Sequence, residues 1–543
     1  MADGFEQEWW REAVIYQIYP RSFQDSNGDG IGDLLGIIDR LDYLNDGTQQ
    51  SLGVDAIWLS PTFPSPMADF GYDVSDYCDV HPDFGTLGTM DRLIAECHGR
   101  GVKLMLDWVP NHSSDQHPWF LESKSSRDNP KRDWYIWRDA KSDGSLPNNW
   151  RAAFGGPTWT WDETTQQYYL HSFLKEQPDL NWRNPEVVEA MHDTLRFWLA
   201  RGIDGFRIDV MGQIVKHPEL ADNPPNPAWS AEQAGKVPKY LMSHSRNYPD
   251  VFTAVKGIRR VLDEYPGSAA VGEVFGTADE IAQFYGGPDL DGLHLAFNFE
   301  FIHRHHEAAF TSWDTVAIRD IVLAAEAELP TGSQPCYAIG NHDRSRFISR
   351  NDHDGRGRER AAAAALLPLG LRNTPFVYYG EEIGMVDVDI PEDELQDPAR
   401  IHTTGRDPER TPMQWDASAG RGFSTAKPWL PYGPVEISVA AQKDDRDSLL
   451  SLYRRAIWGR KALRALLRGT FRELPGSEDV FAFVREAPSA PAVVVAVNTA
   501  AEPRNLRLPR EGVVVVSTDR RLEGTRGDAI EIPPLGALWV SLT

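Results

Sequence analysis

The sequence predicts an α/β fold: a parallel (β/α)8 TIM barrel, a loop-rich domain inserted after its third strand, and a C-terminal antiparallel β domain. Three observations carry that expectation. Apolar runs of strand length alternate with runs of helical period along most of the chain. The alternation breaks at residues 111–181, a stretch rich in Trp, Asp, Asn and Pro. From residue 468 the pattern changes to short β runs between Pro and Gly turns.

Taken in order, residues 13–18 read as the first strand and 34–44 as a helix. Residues 54–59 follow as strand, 90–98 as helix and 103–106 as the third strand. After the insert, Met191, Leu195, Trp198 and Leu199 recur at helical spacing, and Gly202 stops that helix. The fourth strand is Gly205-Phe206-Arg207-Ile208-Asp209-Val210. Residues 269–272, 294–297, 336–339 and 376–378 complete the eight. The barrel then takes residues 1–110 and 182–467, the insert 111–181 and the C-terminal domain 468–543. In that last domain, 480–484, 492–497, 513–516 and 537–542 read as strands.

The composition narrows the function. At 543 residues the chain is long enough for three or four domains of about 150 residues, although barrels run longer as single domains. Its 18 Trp, 17 Tyr and 23 Phe fill a large core and leave rings over for stacking surfaces. A net charge of −25 argues against nucleic acid or an anionic membrane as partner and agrees with a neutral or cationic ligand. Cys78, Cys97 and Cys336 are odd in number and scattered, so they imply no disulfide framework. The sequence starts without a basic segment and apolar run, and holds no apolar stretch of about 18 residues. A cytoplasmic enzyme is the default expectation.

The fourth strand carries two charges in an apolar setting. Arg207 and Asp209 face the same way, opposite Phe206 and Ile208. A neighbouring guanidinium favours an ionised carboxylate, which suits Asp209 to nucleophilic attack. The plainer alternative is a structural Arg–Asp pair closing a barrel strand. Other acids also stand at strand ends: Asp107 after strand three, Glu273 after strand five and Asp343 after strand seven. Barrel enzymes place their chemistry there. Three acids at one mouth fit glycoside hydrolysis, in which one carboxylate attacks and another protonates the leaving oxygen. Glu273 has no cation beside it in sequence and is the better proton donor. Asp343 is placed to stabilise a positive transition state. Taken singly, His112 or His342 would be structural; as Asn-His and His-Asp pairs at strand ends they suit sugar hydroxyls.

Seven motifs in order are similar to those of the α-amylase family of glycoside hydrolases, family thirteen, and to its α-glucosidase and oligo-1,6-glucosidase branch. They run from Gly53 to Pro61, Asp107 to His112, Gln177 to Asn181, Gly205 to Val210, Gly272 to Val274, Asn341 to Asp343 and Arg410 to Trp415. The resemblance implies Asp209 as nucleophile, Glu273 as general acid/base and Asp343 as transition-state stabiliser. It also implies that His112, Arg207 and His342 hold the innermost sugar, with Asp69 and Arg410 on its hydroxyls and Tyr72 under its ring. Trp108 departs from the small or aliphatic residue often found there.

A second constellation lies at residues 25–33. Asp25, Asn27, Asp29, Asp33 and the Ile31 carbonyl offer oxygens at alternate positions, with glycines for the turn. The spacing mimics a calcium loop without the closing Glu of an EF-hand. The plainer alternative is an Asp/Gly-rich turn. The resemblance implies a structural Ca²⁺ or Mg²⁺ here.

Linkage choice rests on two features. Residues 177–181 read Gln-Pro-Asp-Leu-Asn, and Val210 follows the nucleophile candidate. Both resemble α-1,6-accepting members. The expectation is an exo-acting retaining α-glucosidase on short oligosaccharides that accepts α-1,6 and perhaps α-1,4 links. One rival is a transglucosylase or sucrose/maltose isomerase on the same scaffold. Another is a non-catalytic transporter subunit, which would need a membrane segment and lost acids.

Overall fold

The computed structural model describes residues 6–233, 237–302, 313–401 and 405–543. Its first sheet is parallel and curls into a barrel. The strands are β1 (Ile15–Ile18), β2 (Ala56–Leu59), β3 (Lys103–Trp108), β4 (Gly205–Ile208), β5 (Ala269–Gly272), β6 (Leu295–Ala296) and β7 (Phe376–Tyr378). They follow one another in chain order, and β7 returns to pair with β1, Phe376 opposite Ile15. β1 to β5 and β7 are buried along nearly their whole length, so they read as continuous apolar runs rather than alternating ones.

The expected seventh strand differs from prediction. Residues 336–339 form isolated parallel bridges rather than a regular strand: Tyr337 pairs with Asn298 and Ala338 with Phe376. The Asn298 amide donates to the Cys336 carbonyl at 2.8 Å and the Phe376 amide to the Tyr337 carbonyl at 3.2 Å. This segment closes the ring between β6 and β7. It is short because Pro335 lacks an amide hydrogen and Gly340 begins the turn into the site.

Helices wrap the barrel where the periodicity placed them. Pro185–Ala200 starts on Asn184, whose side chain accepts from the Glu186 amide, and buries Met191, Leu195, Trp198 and Leu199. The helix expected at 34–44 is two, Leu34–Asp39 and Leu41–Leu44, broken at Arg40. Among the described residues, no helix is long and apolar enough to cross a membrane.

Within the insert, Trp137–Arg138, Gln167–Leu170 and Trp159–Asp162 make a small antiparallel sheet. Trp108, the departure noted above, is fully buried. Its indole donates to the Thr194 hydroxyl at 2.9 Å and meets Trp182 edge-on. It ties the β3 end to the helix before β4.

The C-terminal sheet has six antiparallel strands: β8 (Thr470–Leu474), β9 (Val480–Glu486), β10 (Val493–Asn498), β11 (Arg504–Ser517), β12 (Arg526–Ile532) and β13 (Ala537–Leu542). β13 lies in the middle, between β10 and β11. One face carries Phe481, Phe483, Val495 and Trp539 into the main core. The other keeps its own apolar cluster, with Val484, Val494, Ile530 and Val540.

Candidate active site

β4 delivers Arg207 and Asp209 to the mouth of the barrel, flanked by β3 and β5. The Arg207 guanidinium is 1% exposed. Its Nη1 donates to Asp107 Oδ1 and to Asp209 Oδ1, each at 2.8 Å, and its Nη2 to Glu273 Oε2 at 2.6 Å. One guanidinium thus bridges Asp209 and Glu273.

This geometry corrects two expectations. Glu273 lacks a cation beside it in sequence, yet Arg207 reaches it across the barrel. Asp209 is not held ionised by a private guanidinium. Burial pushes its carboxyl well above the ordinary range; Arg207 opposes the rise, and Glu273 and Asp107 add to it. The cause is arithmetic of charge: one guanidinium faces three carboxylates.

The strand ends abruptly after Asp209. Val210 sits in the left-handed region, with φ 35° and ψ 46°. For a β-branched residue this is a genuine outlier, costing of order 1–3 kcal/mol. Its amide donates to Glu273 Oε2 at 3.0 Å. The chain therefore turns at Val210.

Asp343 follows the 336–339 segment. Its Oδ1 accepts from Arg406 Nη1 at 3.1 Å and Arg410 Nη2 at 3.0 Å. Burial acts to raise this carboxyl, but His342, Arg406 and Arg410 outweigh it and hold it well below the usual range. His342 is fully buried, and burial pushes it well below the ordinary histidine value, so it is neutral. Gln17 Nε2 lies 2.8 Å from its Nδ1, which leaves the hydrogen on Nε2, 2.5 Å from the Tyr72 hydroxyl. Tyr72 donates to Asp107 Oδ2 at 3.0 Å and stacks on His342 with 5.5 Å between ring centroids. Burial lifts Asp107 to about 7 against the pull of Arg207 and Tyr72. A hydrogen-bonded chain thus runs Gln17, His342, Tyr72, Asp107, Arg207.

Asp69 accepts from Arg406 Nη2 at 2.7 Å and from Gln177 Nε2 at 3.1 Å. His112 lies 3.1 Å from the Tyr72 carbonyl through Nε2, and burial lowers it to about 4. Behind it, Lys216 Nζ binds Asn111 Oδ1 at 2.6 Å and Asp179 Oδ2 at 2.7 Å. The site residues named from sequence, Asp209, Glu273, Asp343, Asp69, Tyr72, His112, Arg207, His342 and Arg410, are therefore gathered in one network.

Sequence reasoning missed Arg406, Lys216 and Gln17. Arg406 grips Asp397 with two nitrogens, at 2.9 and 2.8 Å, besides touching Asp69 and Asp343. Its only sequence signal is the Gly-Arg-Asp at 405–407, four residues before Arg410. Gln17 had a clearer one: a polar residue inside a fully buried strand.

The 25–33 loop lies apart from these acids. Asp25 Oδ1 accepts from the Asn27 and Gly28 amides and Oδ2 from the Gly30 amide. Asp29 Oδ1 accepts from the Ile31 amide. Asp33 caps the helix Leu34–Asp39 by accepting from the Gly36 amide. The carboxylates do not converge: among the described residues, no three His, Cys, Asp or Glu gather as a metal site. The donor chemistry still fits a hard cation. Asp25 and Asp33 are 6% and 5% exposed, and neither forms an ion pair among the described residues.

The family model for the α-amylase catalytic domain matches residues 17–469. A probable α-glucosidase of Rhizobium meliloti (strain 1021) is 45% identical over 500 residues, covering 88% of this chain and 87% of that protein. An oligo-1,6-glucosidase of Heyndrickxia coagulans is 41% identical over 524 residues, covering 90% and 92%. Among solved structures, an α-glucosyl transfer enzyme superposes with a TM-score of 0.89 at 38% identity, covering 98% of this chain and 99% of its own. With the barrel, the insert and the strand-end acids already described, these matches place the chain in the α-amylase family of glycoside hydrolases.

Proposed function

We propose that this protein is an exo-acting, retaining α-glucosidase that releases terminal α-linked glucose from short oligosaccharides. The bridging of Asp209 and Glu273 by the one guanidinium of Arg207, at 2.8 and 2.6 Å, carries this reading. Inverting enzymes keep their carboxyls about 6.5–9.5 Å apart to admit a water; retaining ones hold them about 5–5.5 Å apart. Two acids held by one guanidinium support the closer, retaining geometry.

Asp209 attacks the anomeric carbon while Glu273 gives its proton to the leaving oxygen. Water, activated by the same Glu273, then cleaves the glucosyl ester. Asp343, the most firmly ionised of the three, faces the positive ring. Asp69, Tyr72, His112, His342, Arg207 and Arg410 hold the glucose. The loop at 25–33 takes a structural divalent cation, Ca²⁺ or Mg²⁺, through Asp25, Asn27, Asp29, Asp33 and the Ile31 carbonyl. The ion enters no chemical step.

Glu273→Gln tests the assignment. It should fail on glucosides with poor leaving groups and retain the first step on aryl glucosides with good ones. Azide should rescue the second step as a β-glucosyl azide. Equal loss on every substrate without rescue rules Glu273 out.

We assign α-1,6 links as accepted substrates, with α-1,4 links beside them. Val210 lines the site at 6% exposure, and its turn brings it beside Glu273. Val210→Ala should raise kcat/KM on maltose relative to isomaltose by about tenfold, the usual scale for one or two methyl groups. An unmoved ratio removes the linkage assignment. Transglucosylation is the second reading, favoured by the likeness to an α-glucosyl transfer enzyme. Product analysis at high isomaltose, maltose and sucrose separates free glucose from longer or isomeric sugars.

A further inference from the structure

We propose that the Val210 peptide N–H is a positioning group: with Arg207 it fixes which oxygen of Glu273 carries the transferable proton. The inference rests on Glu273 as the acid and goes beyond that assignment. Two donors converge on Glu273 Oε2: Arg207 Nη2 at 2.6 Å and the Val210 amide at 3.0 Å. An oxygen receiving two N–H groups, one of them cationic, is a poor place for a proton. Oε1 is left to carry it and to deliver it.

The backbone around Glu273 is clasped on both sides. The Glu273 amide donates to the Ile208 carbonyl at 2.8 Å, and the Met211 amide donates to the Glu273 carbonyl at 2.9 Å. Strand β4 ends on one side of Val210 and Met211 is tied on the other. Along β4 the Asp209 amide turns to the Trp108 carbonyl on β3, so the next amide, that of Val210, turns to β5 and Glu273. Past that amide the chain leaves the strand, with a φ of 35° at Val210. Strain of this kind persists only where the surroundings impose it, and here both neighbouring hydrogen bonds do.

Other charges facing Glu273 are Asp209, Asp107, Arg207 and Arg246. None of them belongs to the Val210 turn, so removing this one donor leaves that set unchanged.

An amide-to-ester replacement at Val210, which exchanges the N–H for an oxygen and keeps the side chain, tests the device. A donor lost from the carboxylate form makes ionisation harder, so the acid's pKa rises. The alkaline limb of the kcat/KM profile on a poor leaving group should move up by about one pH unit. The ratio of aryl to alkyl glucoside turnover should rise about tenfold, because a misaimed acid matters least for good leaving groups. Val210→Ala, which keeps the amide and a side chain, should leave the limb in place. Val210→Gly should raise Tm and likewise leave the limb in place, because glycine takes a positive φ without strain and keeps the amide. An unmoved limb in the ester variant overturns the inference. Should the ester chain not fold, neutron diffraction of the deuterated wild type decides it: a deuteron on Oε2 of Glu273 overturns the inference. Loss of the Glu273→Gln rescue pattern would instead overturn the acid assignment itself, so the two failures are distinct.

Discussion

Arg207 governs the acids by being shared. Three carboxylates compete for it, and the outcome depends on burial rather than on sequence neighbours. Asp209→Asn keeps the hydrogen-bonding shape but cannot form a glycosyl ester. It should fold with an unchanged Tm and lose at least ~10³-fold in kcat, about 4 kcal/mol of barrier. A smaller loss excludes Asp209 as nucleophile. Away from the site, Glu381 is partly buried, and Tyr453 donates to its Oε1 at 2.8 Å. Burial pushes this carboxyl up to about 8 from 4.5; Tyr453 opposes the rise and Glu382 adds to it. A raised folded-state value means the stabilising contribution is full below about pH 4.5 and is lost as pH climbs through 8. Glu381→Gln keeps an acceptor for Tyr453 without the charge. Its Tm should fall less between pH 5 and 8 than that of the wild type. Parallel melting curves would show that another group carries the loss.

Elements were legible where periodicity or a motif marked them. β4, the helix before it and the acids at strand ends follow from residue pattern alone. The 336–339 closure was legible only as a strand. Its reduction to single bridges depends on partners about forty residues away on either side, Asn298 and Phe376. Arg406 was hidden for a similar reason: its partners, Asp69, Asp343 and Asp397, meet only after the barrel has closed. The private pairing expected for Arg207 and Asp209 failed because Glu273, 66 residues from Arg207, competes for the same guanidinium. The 25–33 loop is a test at this scale. An ion that binds only the folded chain stabilises it by mass action. Chelation, or Asp29→Ala, should lower Tm while activity persists in the protein that remains folded. No bound ion by elemental analysis, with melting unchanged in excess chelator, would reduce the loop to a turn.

The whole molecule is joined where β13 meets the barrel's outer helix, Gly357–Gly370. The buried Trp539 indole donates to the Leu366 carbonyl at 3.2 Å, and Arg485 donates to the Gly370 carbonyl at 3.0 Å. A methyl group added at Gly370 would lie 2.9 Å from Val495, so sheet and helix are in direct contact. Trp539→Ala should cost about 3–5 kcal/mol and lower Tm in a single transition. Two separate transitions would mean that the domains melt independently. The position of β13 has a consequence for synthesis. It is a central strand, so β10, paired with β9, and β11, paired with β12, each lack a second partner until residue 542 has left the ribosome. A nascent chain can close its barrel earlier than that, yet the outer helix stays uncovered. Until β13 is in place the apolar seam is open to chaperones or to other nascent chains, and only the completed strand shuts it.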